Sequence, residues 1–203
     1  MRFAWILRYF VSTTLLASLL IILPLPPAFG QGFEEKEEKD QQEQIVVGQI
    51  APDFTITDMN GEVFSLLEDA ADMPIVLDFW ATWCPPCVLE FPFLNHFQAA
   101  HADEVIVLGI TSEEAESEQA IRDFVEERDI IFRVAHDPSR EIMESYFVTG
   151  IPFVVVIGTD GSVIATHLGY HETIREDLET DLGLWHADYP PIPVEEEEEE
   201  EPH

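Results

Sequence analysis

The chain has 203 residues, 46% of them apolar, which is length and hydrocarbon enough for one ordinary domain with appendages. Its 41 acids against 9 bases give a net charge of −32, which excludes a nucleic-acid surface that displaces counterions and disfavours charge-driven binding to anionic lipid. Two cysteines are too few for a disulfide-scaffolded domain or a four-thiolate metal site.

Arg2 and Arg8 precede an apolar stretch over 9–23, then Pro24-Leu25-Pro26-Pro27 and Ala28-Phe29-Gly30, with small residues placed for a cut before Gln31. This is the three-part anatomy of a secretory leader. The stretch is short of the ~20 residues of a membrane span. An uncleaved anchor that recruits residues 3–7 stays open, provided Arg8 snorkels. Either outcome carries the following domain out of the cytoplasm, with the basic end left inside. Residues 31–44 read as an acidic tether, 45–186 as the folded domain, and 187–203 as a Pro-rich and poly-Glu disordered tail. Excluding the acids over 34–43 and 195–201 still leaves 28, and residues 44–194 hold five Arg and no Lys. A solvated acidic face accounts for this, and a salty environment that screens self-repulsion is the sharper expectation.

Within the domain, Phe54-Thr55-Ile56, the turn Asp58-Met59-Asn60-Gly61 and Val63-Phe64-Ser65-Leu66 predict a hairpin. Ile75-Val76-Leu77-Asp78-Phe79-Trp80 is the nearly continuous apolar run of a strand buried on both faces. Helical spacing runs from Cys84 to about Ala100, a second buried strand covers 105–110, and Ala120, Ile121, Phe124 and Val125 fall at helical spacing. An extended segment at 131–134 and a short helix over 139–147 follow. A third buried strand at 153–157 turns through Thr159-Asp160-Gly161-Ser162 into 163–168, and an amphipathic helix over 174–184 closes the domain. The pattern predicts an α/β domain: a mixed central sheet flanked by helices, with an N-terminal β-hairpin extension.

The two cysteines stand three positions apart in Trp83-Cys84-Pro85-Pro86-Cys87, where a buried strand hands over to a helix. Positions i and i+3 share a helix face at a separation that a disulfide spans. At a helix start, free N–H groups and the dipole favour a thiolate, so Cys84 is the attacking sulfur and Cys87, one turn inside, resolves the mixed disulfide. Pro85 and Pro86 have no N–H to offer that thiolate, which tilts the couple toward reduction rather than strong oxidation. No cofactor is expected beyond the Cys84–Cys87 couple and no metal. Zinc needs two further ligands, the seven histidines are scattered in sequence, and Val88 stands where haem attachment requires His.

The segment Asp78-Phe79-Trp80-Ala81-Thr82-Trp83-Cys84-Pro85-Pro86-Cys87, the entry Gly48-Gln49-Ile50-Ala51-Pro52-Asp53-Phe54 and the later Gly150-Ile151-Pro152 together resemble the thioredoxin superfamily, in its TlpA/ResA-like exported branch. The resemblance covers about residues 45–184. It implies a thioredoxin-like fold and thiol-disulfide exchange outside the cytoplasm. It also implies a cis-proline at Pro152, a substrate strand on the backbone of Ile151, and substrate contacts from Trp83, Pro85 and Pro86. Pro92 matches the proline that bends the helix in this superfamily. Glu90 alone reads as a surface helix residue; by resemblance it serves near the thiols, as in cytochrome c maturation members. Asp78 departs from the Asn more common in this branch; on a doubly buried strand an unpaired carboxyl there would have a raised pKa and could deprotonate Cys87, and a structural, water-bonded Asp is the equal alternative. Which of Asp78 and Glu90 accepts the proton stays open. Phe153, where Thr is usual, is expected to make the substrate groove more apolar. The implied partners are a protein disulfide, with apocytochrome c as one candidate, and a membrane thiol-electron donor. A peroxiredoxin-type peroxidase is the alternative, weakened because Ala81 stands where that chemistry needs Thr; a non-enzymatic metal- or protein-binding module is another.

Overall fold

The structure, a computed structural model, describes residues 44–184. The expected leader or anchor, nearly all of the tether, and the tail lie outside the described residues.

The chain enters through a hairpin of β1 (Thr55–Thr57) and β2 (Val63–Ser65), with Ile56 opposite Phe64. Asp58 closes the turn. Its Oδ1 accepts from the N–H groups of Asn60 and Glu62, each at 2.9 Å, and Gly61 supplies the left-handed conformation at φ +86°. The other carboxylate oxygen accepts from Arg133 Nε at 2.9 Å, tying the hairpin to the main sheet. The expected strand stops one residue early. Leu66 opens a short helix, α1 (Leu66–Ala70), while its N–H still bonds to the Phe54 carbonyl at 3.0 Å.

Five strands form the central sheet: β3 (Ile75–Trp80), β4 (Ile106–Thr111), β5 (Arg133–His136), β6 (Phe153–Ile157) and β7 (Val163–Leu168), in the order β5-β4-β3-β6-β7. β4 runs parallel to both β3 and β5, β6 antiparallel to β3, and β7 antiparallel to β6. The mixed sheet expected from the alternation of strands and helices is therefore present. The helices are α2 (Pro85–Ala100), α3 (Glu118–Glu127), α4 (Glu141–Ser145) and α5 (Ile174–Leu182), with a single 3-10 turn at Ala115–Ser117 before α3. β4 begins at Ile106 because the Val105 N–H is spent on the His101 carbonyl behind α2.

Every residue of β3 is buried, and alternation of side chains divides the core into two. Val76 and Trp80 join Cys87, Phe91, Leu94 and Phe97 of α2, Ile121 of α3 and Leu178 of α5. Ile75, Leu77 and Phe79 face the opposite way, with Phe64, Leu66 and Tyr146. Each buried side chain of this size contributes about 1.5–3 kcal/mol, so β3 is anchored from both faces. Among the described residues, no helix is long and apolar enough to cross a membrane.

Candidate active site

β3 ends at Trp80, and the chain turns through Ala81, Thr82 and Trp83 before Cys84 caps α2 with extended φ/ψ of −99° and 96°. Pro85 and Pro86 occupy the first helical positions, where their fixed φ suits the helix and no intrahelical donor is lost. Cys84 and Cys87 are joined in a disulfide with Cα atoms 5.4 Å apart. The Cys84 sulfur accepts from the Cys87 N–H at 3.3 Å. Pro85 and Pro86 add no N–H to this. Cys84 is 3% exposed and Cys87 fully buried, so the outer sulfur is the accessible one by a narrow margin.

Trp83, 71% exposed, stands beside the disulfide. It shares a groove of about 490 Å³ with Glu113, Glu114, Arg140, Gly150 and Ile151. Ile151 also packs against the apolar cluster that contains both cysteines, and the Ile151–Pro152 bond is cis. Pro152 is buried; Pro85 and Pro86 are exposed. Phe153 does not make the groove more apolar as expected, because it is not among the lining residues. On β6 it alternates away from the cysteine side and stacks on Phe79, ring centroids 6.3 Å apart, in the opposite core.

Asp78 follows the same alternation as Val76 and Trp80, so its carboxyl points into the core that holds Cys87. It is fully buried, and neither oxygen has a hydrogen-bond partner. Glu90 lies on α2 one turn beyond Cys87 and is 1% exposed, not the surface residue that its type alone suggests. Its Oε2 likewise has no partner. Burial pushes Asp78 up to about 7. Burial, with the Asp78 charge adding to it, pushes Glu90 up to about 9. The Asp78 charge on the sheet thus resists ionisation of Glu90 on the helix. Pro92 sits inside α2 and withholds a donor from the Val88 carbonyl.

One contributor has no sequence signal. Glu113, past the end of β4, accepts from the Thr82 N–H at 2.7 Å and from the Thr82 hydroxyl at 3.0 Å. It is 31 residues from Thr82, and only the parallel pairing of β3 with β4 brings the two together. Both of these Thr82 donors are therefore spent on fixing the turn before Cys84.

A dithiol couple at a helix N-terminus, beside a cis-proline loop on a mixed sheet, defines a thioredoxin-fold thiol-disulfide oxidoreductase. The Redoxin family profile matches residues 46–182. The chain is 34% identical over 169 residues to the thiol-disulfide oxidoreductase ResA of Bacillus cereus, covering 81% of this chain and 92% of that protein. It is 32% identical over 155 residues to the thioredoxin-like protein YneN of Bacillus subtilis, covering 76% and 86%. Among solved structures it resembles a putative thiol:disulfide interchange protein DsbE from Chlorobium tepidum, with TM-score 0.63, 30% identity and coverage of 70% and 98%. StoA from Bacillus subtilis matches with TM-score 0.56, 26% identity and coverage of 65% and 97%. The chain belongs to the Redoxin family, in the TlpA/ResA-like part of the thioredoxin superfamily, and is a thiol-disulfide oxidoreductase.

Proposed function

We propose that this enzyme works outside the cytoplasm as a reductant of protein disulfides, and that oxidised apocytochrome c is its leading substrate. The observation that carries this reading is the pairing of Asp78 and Glu90, buried without partners, behind a Cys84 sulfur whose backbone donors are thinned by Pro85 and Pro86. A thiolate with few donors is less stabilised, so its disulfide is harder to reduce and its dithiol a better reductant. The apolar leader or anchor at 9–23 supports export, and the likeness to ResA and DsbE proteins supports the substrate class.

In the reduced enzyme, the Cys84 thiolate attacks one sulfur of the substrate disulfide, and the other substrate sulfur leaves as a thiolate. A mixed disulfide now joins Cys84 to substrate. The Cys87 thiol gives its proton to the carboxyl pair and attacks the Cys84 sulfur. This closes the Cys84–Cys87 disulfide and releases the second substrate thiolate. Two electrons have passed to the substrate, and a membrane thiol donor restores the dithiol. Near neutral pH, Asp78 is the member of the pair able to take the proton, because Glu90 holds its own to higher pH. Trp83, Pro85, Pro86 and the Ile151–Pro152 backbone form the surface on which the substrate strand lies.

Equilibration with thiol buffers tests the direction of flow. The expected potential lies below about −200 mV; a value near the −120 mV or so of a strong oxidant overturns the reading. With peptides, oxidised Cys-X-X-Cys-His is expected to be reduced faster than a composition-matched peptide with the His displaced; equal rates remove apocytochrome c as the preferred substrate.

A further inference from the structure

The histidines are scattered in sequence, but the fold brings two of them together with a carboxylate. His167 lies on β7 at the edge of the sheet, His171 in the turn that follows Gly169, and Asp177 in the first turn of α5. One nitrogen from each ring and one oxygen from Asp177 lie within 4.8 Å of one another, and all three residues are partly buried. His171 Nδ1 and Asp177 Oδ2 are 3.3 Å apart, and the two rings are tilted with centroids at 5.7 Å. Ligand atoms around a tetrahedral ion with bonds of about 2.0–2.1 Å stand roughly 3.4 Å apart, so a small closing of side chains completes such a set.

Asp181, one turn beyond Asp177, engages His167 Nε2 at 2.8 Å. A carboxylate holding the far nitrogen of an imidazole is the usual outer support of a metal-bound histidine, since it fixes the ring and raises its basicity. With Nε2 engaged, Nδ1 is the atom through which His167 would ligate. Thr173 Oγ1 contacts His171 Nδ1 at 3.3 Å and donates to Asp177 Oδ2 at 3.0 Å, steadying the carboxylate from the turn.

We propose that His167, His171 and Asp177 form a binding site for a late first-row divalent cation of the zinc type, with Asp181 orienting His167. Two imidazoles and one carboxylate suit such ions better than magnesium or calcium, which prefer all-oxygen shells. The site is separate from the dithiol. It bridges β7 and α5 across a turn whose Tyr170 packs on Phe93 of α2, ring centroids 6.0 Å apart. The ion would thus pin the closing helix to the sheet edge behind the helix that carries the cysteines. The strong negative charge of the chain raises the local cation concentration.

The test is calorimetric titration of zinc into the full chain with its disulfide intact, so that no thiolate competes, with magnesium as control. The expected result is one site per chain for zinc and none for magnesium. Binding should weaken at least tenfold in His167→Ala and in His171→Asn, the latter in the turn before α5 and outside any strand or helix, and about tenfold in Asp181→Asn. The melting temperature of the wild type should rise with zinc, and that of His171→Asn should not. Zinc isotherms that are the same in wild type and His171→Asn would overturn the proposal, as would the absence of a one-to-one zinc step in the wild type. Both would leave the acidic surface as the source of any heat.

Discussion

A carboxylate loses far more solvation on burial than a carboxylic acid does, and Asp78 and Glu90 are both buried with oxygens that no partner satisfies. Their folded-state pKa values therefore stand above those of the unfolded chain. A group raised in this way contributes most stability below its unfolded pKa, near 4, and loses that contribution as pH climbs through its folded value. For Asp78 the loss runs from about pH 4 to about 7, and for Glu90 it extends to about 9. Asp78→Asn abolishes the first of these. Urea unfolding should show the variant gaining on wild type by roughly 4 kcal/mol between pH 4 and 9, because each pH unit between the unfolded and folded pKa values is worth about 1.36 kcal/mol. A difference that stays flat with pH would mean that the Asp78 carboxyl is not held protonated by the fold. In the proposed mechanism the same substitution also removes the proton acceptor for Cys87. Release of substrate from the mixed disulfide should slow by about 100-fold, and its pH profile should lose the inflection near 7. Stability gained with activity lost is a signature that a purely structural aspartate would not give.

At the scale of elements, the turn from β3 into α2 depends on contacts from the neighbouring strand. Glu113→Ala strands the Thr82 N–H and hydroxyl, at a cost of about 1–3 kcal/mol, and thermal unfolding should begin several degrees lower. Gly109, opposite Asp78 in the β3–β4 register, has no room for a side chain: an added Cβ would lie 2.8 Å from Trp80 Nε1 and 2.9 Å from Phe132. Gly109→Ala should cost about 1–3 kcal/mol by overpacking; a neutral result would show that the Trp80 ring yields freely. The strands and α2 were legible in the sequence because a doubly buried strand is a continuous apolar run and a helix repeats every 3.6 residues. Leu66 misled because strand alternation from Phe64 and the first turn of α1 bury it equally well. Glu90 misled for a different reason. The spacing Cys87, Glu90, Phe91, Leu94 puts it on the buried face, but a glutamate there contradicts the ordinary rule that charge faces water. Glu113 and the pairing of His167 with Asp181 were invisible, since each depends on contacts that the tertiary fold creates.

For the whole molecule, a net charge of −32 with five arginines and no lysine over residues 44–194 is the dominant long-range feature. Those arginines make local pairs, such as Arg133 with Asp58 and Arg122 with Glu118, that offset little of the total. Raising salt from about 0.01 M to 1 M shortens the Debye length from about 30 to 3 Å, so the melting temperature should climb steadily over that range. A melting temperature indifferent to salt would sink the reading of a chain suited to a salty environment. The motif Trp83-Cys84-Pro85-Pro86-Cys87 was the clearest feature of the sequence, and the fold supplies what surrounds it: a groove on one side, two buried acids on the other, and a tethered turn before it. The proposed chemistry turns on Cys84 attacking and Cys87 resolving. The most direct test is to mix reduced Cys87→Ala enzyme with an oxidised dithiol peptide and map the product by mass spectrometry. A stable mixed disulfide on Cys84, with no adduct in Cys84→Ala, is the predicted result. An adduct on Cys87 in the Cys84→Ala enzyme, or none on Cys84 in Cys87→Ala, would contradict it.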